Sequence, residues 1–458
     1  MTDEFDIAVV GAGDVGSAIA RELSRYELRI ALVDRGDVGA GTSKANTAIL
    51  HTGFDAKPGT LEARLVARGH TLLSAYAHEA GIPLERTGAH LVAWNEEQLA
   101  RLPEIEANAE RNGYRHTARI APRELYRREP HLAPGALGAL EIPDEHIVCP
   151  WTAPLAWATQ AVRAGVALRR GFDVRSVERE EGVWQVAGDG HELRARWLIN
   201  AAGLHGDELH TSAGYDGLKI TPRRGQLIVF DKLARSLVNG TILPVPTATT
   251  KGVLVAPTVF GNVLLGPTAE DLDDKHDTSC TAAGLDFLLE KGRSIMPSLL
   301  EHEITATYAG LRAASDRGDY LLLADGTRGY ACAGAIRSTG LTSAMGVAEW
   351  MRDALEEEGL ELVEREGGLP AVRMANIGEA GVRPYQDAEA IKRDGAYGEL
   401  LCFCERVSRG EIRDALRSDI PPTDIGGLRR RTRATLGRCQ GFYCAAAVSA
   451  ELEAGGRP

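Results

Sequence analysis

The chain has 458 residues, with 52 Lys+Arg against 64 Asp+Glu and a net charge of −12. Hydrophobic residues make up 44% and charged residues 25%, the balance of a folded globular protein, so disorder, collagen and coiled coil are poor readings. No apolar run reaches the roughly 18 residues of a membrane helix, the start Met1-Thr2-Asp3-Glu4-Phe5-Asp6 lacks the basic flank of a signal peptide, and the acidic balance argues against nucleic acid as a partner.

These features point to a cytoplasmic protein of two to four domains at roughly 150 residues each. Charge and cysteine are unevenly spread. Residues 1–400 carry 42 Lys+Arg and 57 Asp+Glu, whereas 401–458 carry 10 and 7. Four of the seven cysteines fall in that basic tail. Composition therefore divides the chain into a large acidic body and a small Cys-rich tail domain.

Phe5-Asp6-Ile7-Ala8-Val9-Val10 reads as a strand, Gly11-Ala12-Gly13-Asp14-Val15-Gly16 as a turn, and residues 17–23 as a helix. In this G-x-G-x-x-G pattern Gly11 permits the tight turn, Gly13 lets backbone approach a pyrophosphate, and Gly16 allows close helix–strand packing. The helix N-terminus offers unpaired N–H groups to phosphate. A second strand, residues 29–33, ends at Asp34, placed to accept ribose hydroxyls. Dinucleotide binding follows, without a choice between NAD and FAD.

The next segment runs from Gly41, Thr42, Ser43 and Lys44 through Asn46 and Thr47 to His51, Gly53 and Asp55. It resembles the flavin-contacting segment of the FAD-dependent D-amino-acid-oxidase-like superfamily. Within that superfamily it is most similar to glycerol-3-phosphate dehydrogenases and oxidases, with L-2-hydroxyglutarate dehydrogenases next. Pro58-Gly59-Thr60-Leu61-Glu62-Ala63 continues the likeness. So do Phe172-Asp173-Val174-Arg175 (adenine side), Ala201-Ala202-Gly203 (diphosphate) and Arg337-Ser338-Thr339-Gly340-Leu341-Thr342, a turn feeding a helix that faces the ring. The resemblance implies FAD held by Gly11, Gly13, Gly16, Asp34, Thr42, Ser43, Asn46, Thr47, Val174, Ala202, Gly203, Gly340, Leu341 and Thr342.

Residues 83–150 and 219–310 interrupt that pattern with period-two stretches such as Gln226-Leu227-Ile228-Val229-Phe230 and Gly252-Val253-Leu254-Val255-Ala256. They predict an antiparallel, β-rich substrate domain. FAD-binding segments are then about 1–80, 150–215 and 310–360, within a body of residues 1–365. Oxidising an alcohol needs a base for the hydroxyl proton, most often His, and His51 follows the flavin loop. An anionic substrate needs cations: Arg312 first, a fork that grips phosphate or carboxylate at two points. Lys251, Arg337 and Ser338 follow; Arg337 stands where many relatives carry a small or acidic residue, so a salt bridge is its other reading.

Gly and Pro mark residues 366–398 as a linker. In the tail (399–458), Cys402-Phe403-Cys404 is separated by 34 residues from Cys439-Gln440-Gly441-Phe442-Tyr443-Cys444. Two close pairs suggest a four-thiolate site, where zinc prefers C-x2-C knuckles. The tail resembles the bacterioferritin-associated-ferredoxin-like [2Fe-2S] domain, which implies Cys402, Cys404, Cys439 and Cys444 as cluster ligands. The run Arg429-Arg430-Arg431-Thr432-Arg433 docks an acidic partner, offsets the cluster's charge, or packs on the acidic body.

The fold class is α/β: a Rossmann-like FAD domain, an antiparallel β-rich substrate domain, and a small helical [2Fe-2S] tail. The function implied is oxidation of a small anionic alcohol, sn-glycerol 3-phosphate first, with electrons leaving through the cluster to a quinone or redox protein. An L-2-hydroxy acid and an amine or amino acid are alternative substrates, and a non-catalytic electron-transfer or iron-handling module is the reading from another class. A membrane-anchoring subunit, with the chain peripheral at the inner membrane face, is compatible with this scheme.

Overall fold

The computed structural model describes residues 3–246 and 252–455. The strand Asp3–Val10 is buried from Ile7 to Val10, as a parallel strand with both faces covered must be. It runs between His191–Asn200 and Ile30–Asp34, with Tyr330–Gly334 and Ala167–Arg170 outside them, all parallel. The hairpin Ser176–Glu180 with Val183–Gly188 and the strand Leu321–Asp325 add antiparallel edges.

The helices Asp14–Leu23, Leu61–Ala80 and Gly340–Glu357 pack on one another beside this sheet. Gly69 makes the last contact close. A Cβ there would stand 2.0 Å from the Thr342 carbonyl oxygen, so the start of helix Gly340–Glu357 is pressed against helix Leu61–Ala80.

A second sheet has nine strands, and its strand Ile304–Ala314 contacts Thr42–Lys44 and Gly203–His205, which follow strands of the first. Thr221–Phe230 pairs along its length with Ile304–Ala314. On its other side follow Val263–Gly266, Leu254–Pro257, Thr241–Pro244, Ala89–Ala93, Gly138–Ile142 and Ala118–Ile120. The sheet departs from the antiparallel expectation once, since Thr241–Pro244 runs parallel to Ala89–Ala93. Leu254–Pro257 and Val263–Gly266 are buried on every residue rather than on alternate ones. The reason is two-sided cover. Val255, Val263 and Leu265 pack with Leu288 and Ile295 of helix Ala282–Ile295, while Leu254 and Ala256 pack with Ile49.

Between the sheets lies a small ladder of Ile49–Leu50, His146–Val148 and Leu84–Glu85. Its register pairs Leu50 with His146. The residues on either side of that pair, His51 and Glu145, are thereby brought together from 94 positions apart.

The tail has its own core of Cys402, Val407, Ile412, Leu428, Ala434, Cys444 and Val448. This is formed by the hairpin Leu400–Cys402 with Val407–Ser408 and the helices Arg409–Leu416, Ile425–Thr432 and Ala445–Glu453. Residues 366–398 differ from a bare linker. The Pro370 carbonyl accepts from Gln160 (2.8 Å), Met374 N–H donates to Ala80 (2.7 Å), and Arg383 pairs with Glu411 (2.9 Å). Ala388–Arg393 is helical. The segment is a packed strap because its polar groups find partners on both domains.

Of the three readings of the basic run, packing on the body is what Arg430 and Arg431 show. Both pair with the buried Asp37, at 3.3 and 2.6 Å, and Arg170 of the body joins them at 2.9 Å. Arg163–Asp419 and Arg438–Asp231 add to the same seam. Among the described residues no helix is long and apolar enough to cross a membrane.

Candidate active site

At the end of strand Asp3–Val10 the chain turns at Gly11, with φ +108°. A Cβ on Gly11 would stand 2.3 Å from the Ala201 carbonyl oxygen, and one on Gly16 only 1.8 Å from the Gly11 carbonyl oxygen. The turn, the helix behind it and the Ala201–Gly203 turn are thus in direct contact, and only glycine fits. Gly13 caps the helix without any side-chain hydrogen bond, and of the first-turn N–H groups that of Asp14 goes to Ser43 Oγ, leaving those that follow for an anion. The Asp34 carboxylate accepts from Ala12 N–H and Gly36 N–H, both at 2.7 Å, and each oxygen keeps a lone pair for a ribose hydroxyl. Phe172 N–H donates to the Asp34 carbonyl (3.0 Å), which carries the half-buried Val174 to this nucleoside end.

This cradle fits FAD in shape and in donors. Asp14 is the acid at the start of the cradle's helix. Its Oδ1 is buried without a hydrogen-bond partner among the described residues. Burial pushes its carboxyl up to about 7 against a weaker pull from Ser43, so near neutral pH it can serve as a hydroxyl donor. Gly11→Ala should yield protein that retains its sheet yet binds little flavin, read as flavin absorbance per chain after purification.

The loop from Thr42 to Thr47 is clamped between the cradle and the second sheet. Asp14 N–H donates to Ser43 Oγ (2.9 Å), and Asn46 Nδ2 donates to the Ser43 carbonyl (2.8 Å). From the other side the Tyr308 hydroxyl donates to the Asn46 carbonyl (2.8 Å). Gly310 leaves room for Ala45, whose oxygen would stand 2.2 Å from a Cβ there. The chain then enters Ile49–Leu50 and reaches His51.

His51 Nδ1 lies 3.0 Å from Glu145 Oε2. Glu145 is buried, and its Oε1 accepts from Thr52 N–H (2.7 Å) and Thr52 Oγ (3.0 Å). A carboxylate only accepts, so Nδ1 carries the hydrogen. His51 N–H donates to Thr342 Oγ1 (3.1 Å) in the first turn of helix Gly340–Glu357, beside Gly340 and Leu341. One point therefore gathers the flavin loop, the substrate-side ladder and the start of that helix. Glu145 escaped sequence reasoning. Its only local signal is an Asp-Glu-His turn between two short strands, and its partner is set by ladder register.

Arg312 lies on Ile304–Ala314, two residues beyond Gly310, which abuts the flavin loop at Ala45. Its Nη2 donates to the Thr268 carbonyl (2.5 Å), in space kept open by Gly225. Among the described residues no carboxylate forms an ion pair with it. Burial, then neighbouring Arg223, pushes its pKa down to about 10. It remains cationic at neutral pH, and binding an anion would relieve that penalty. Arg337 behaves otherwise: it pairs with Glu62 at 3.0 Å, and Glu62 also accepts from Thr339 (2.9 Å). This is the salt-bridge alternative, and a compensated guanidinium offers a substrate anion little net charge. Ser338 is exposed in the adjoining turn. Lys251 lies outside the described residues.

In the tail, Cys402 contacts Cys444 and Cys404 contacts Cys439. Backbone N–H groups of Tyr443, Gly441 and Phe442 point at the Cys439 sulfur and lower its pKa, the Tyr443 contact most. Burial pushes Cys444 up to about 12. Among the described residues no group of three or more potential ligands is gathered as a site for a single metal ion. Four sulfurs in two touching pairs, with N–H donors aimed at one of them, suit a two-iron cluster holding two thiolates on each iron.

The FAD dependent oxidoreductase (DAO) model matches residues 6–354. The chain belongs to the DAO family of FAD-dependent oxidoreductases. Residues 400–454 match the BFD-like [2Fe-2S] binding domain. This DAO enzyme is 33% identical over 446 residues to glycerol 3-phosphate dehydrogenase of Caloramator mitchellensis, covering 97% of this chain and 93% of the relative. It is 27% identical to a subunit of the anaerobic glycerol-3-phosphate dehydrogenase of Escherichia coli K12, covering 98% and 88%. Among solved structures, dithionite-reduced L-α-glycerophosphate oxidase of Mycoplasma pneumoniae with FAD bound superposes with a TM-score of 0.75 at 28% identity, covering 80% of this chain and 97% of that one. FAD and a [2Fe-2S] cluster are the cofactors of this architecture.

Proposed function

We propose that this DAO oxidoreductase is a dehydrogenase that converts sn-glycerol 3-phosphate to dihydroxyacetone phosphate and delivers the electrons to a separate acceptor, a quinone or redox protein. The observation that carries the chemistry is His51 braced by buried Glu145 where the two sheets meet. The names of the similar dehydrogenases and oxidases support the choice of substrate. Bound FAD supplies a hydride acceptor and the [2Fe-2S] cluster a one-electron relay.

His51 takes the hydroxyl proton at Nε2 while Nδ1–H stays on Glu145. The carboxylate stabilises the imidazolium that forms and fixes the ring's tautomer. Arg312 binds the substrate phosphate. Among the described residues no carboxylate forms an ion pair with it, Asp271 acting on it only through space, and it is partly withdrawn from water, where an ionic hydrogen bond is strongest. Cys402, Cys404, Cys439 and Cys444 hold the cluster. Its presence favours a dehydrogenase over an oxidase, because it gives electrons a way out other than dioxygen. A membrane-anchoring partner, with the chain peripheral at a membrane face, belongs to this proposal and rests on the similarity to one component of a multi-chain dehydrogenase.

Anaerobic mixing with glycerol 3-phosphate should bleach the flavin absorbance at a rate that saturates with substrate. A flavin left oxidised by glycerol 3-phosphate but bleached by L-2-hydroxyglutarate would overturn the substrate assignment and leave Arg312 as a carboxylate ligand.

A further inference from the structure

Five groups lie in unbroken contact between the flavin loop and the cluster loop. The Trp151 indole N–H donates to the Lys44 carbonyl (3.0 Å), in the loop clamped against the dinucleotide cradle. Trp151 stacks on Phe260 with ring centroids 4.9 Å apart and planes 19° apart. The Arg433 guanidinium caps both rings, 4.2 Å from the Phe260 centroid and 5.6 Å from that of Trp151. Arg433 Nε then donates to Glu405 (3.2 Å), the residue after Cys404. A Cβ on Gly437 would stand 2.4 Å from that of Cys404 and 2.9 Å from Glu405, so the cluster loop is itself packed tightly here.

Local preference does not account for this arrangement. Arg433 ends helix Ile425–Thr432 with φ +73°, in the left-handed region that a side-chain-bearing residue enters at a cost. Phe260 and Arg433 are both buried, and Arg433 Nη2 is held further by Asn262 (3.2 Å). Arg430 and Arg431, three and two residues earlier, already hold the tail through Asp37. A strained, buried arginine stacked on two aromatic rings adds something that docking alone does not require.

We propose that Trp151, Phe260 and Arg433 form the electron path between flavin and cluster. The proposal rests on the two-cofactor reading above, but not on the substrate. Each passage removes one electron from the reduced flavin and adds it to the oxidised cluster. A one-electron acceptor then oxidises the cluster, the second electron follows the same way, and the flavin's protons go to solvent. The packed rings and guanidinium leave no through-space gap along the seam, and it is such gaps that attenuate tunnelling most.

The test needs no substrate. Holoprotein reduced anaerobically with dithionite, and freed of excess, is mixed with ferricyanide, and flavin reoxidation is followed by absorbance. A Cys402→Ser protein, lacking the cluster, sets the rate of direct flavin oxidation. Trp151→Leu and Phe260→Leu should slow reoxidation by an order of magnitude toward that baseline. Trp151→Phe keeps the ring contact and should retain most of the wild-type rate. Redox titration should find both midpoint potentials unchanged in Trp151→Leu. Arg163→Ala, which loosens the seam away from the path at Asp419, should reoxidise at the wild-type rate. A wild-type rate in Trp151→Leu overturns the proposal. Equal slowing in Arg163→Ala also overturns it, since the rings would then only seat the tail.

Discussion

Replacing His51 by Asn is expected to slow anaerobic flavin reduction by glycerol 3-phosphate about 10²- to 10⁴-fold, the share a positioned general base supplies, or about 3–5 kcal/mol of barrier. Asn can still donate to Glu145, so the buried carboxylate keeps a partner and the site keeps its shape. Substrate affinity, which falls to Arg312, should change little. Glu145→Gln separates base from brace. Glu145 Oε1 accepts from two Thr52 donors, so the Gln oxygen will stay with them. That turns the Gln amide toward His51 Nδ1, which must then accept, and the ring's hydrogen moves to Nε2. Such a ring cannot take a proton at Nε2, and flavin reduction should slow with flavin content unchanged. Histidine ¹⁵N NMR reads the tautomer directly. An unaltered reduction rate in His51→Asn would remove His51 from the chemistry.

The legible parts of this chain are those whose physics is local. Strand, Gly11 turn, helix and Asp34 occupy one stretch of sequence, and their steric requirements are met within it. The tail's two close cysteine pairs are legible for the same reason, since spacing alone suggests a four-thiolate site, while the kind of cluster came from resemblance to a known domain and not from spacing. Glu145 was not legible, because nothing near it in sequence says that a ladder of two-residue strands will set it against His51. Arg337 showed a charge but not which carboxylate would meet it, and helix Leu61–Ala80 supplies Glu62 from 275 positions away. The basic run showed a face but not its counterpart. Asp37 is a single acid in a turn, made decisive only because the tail folds back over it. Residues 366–398 read as a linker from their glycines and prolines, yet exposed carbonyls pack wherever two domains offer donors.

Removing Asp37 should have the largest effect on stability. Its buried carboxylate meets Arg170, Arg430 and Arg431, and Gly427 leaves it no slack, since a Cβ there would stand 2.5 Å from Oδ2. Asp37→Ala leaves three guanidiniums facing one another in a partly buried seam. Breaking a buried pair from one side costs about 3–5 kcal/mol, expected here as a lower denaturant midpoint and faster proteolysis of the tail. The effect should depend on pH in a stated direction. Burial works to raise the Asp37 pKa, but the hydrogen bonds and charge of Arg431, with Arg170 and Arg430, outweigh it and hold the carboxyl below its ordinary value. A group depressed on folding contributes stability above its unfolded pKa, about 3.9 for Asp, and loses it as pH falls through the folded value. The stability gap between wild type and Asp37→Asn should therefore be constant from neutral pH down to about 5 and close on further acidification. A gap that instead widened toward low pH would mean that the carboxylate is not what holds the tail to the body.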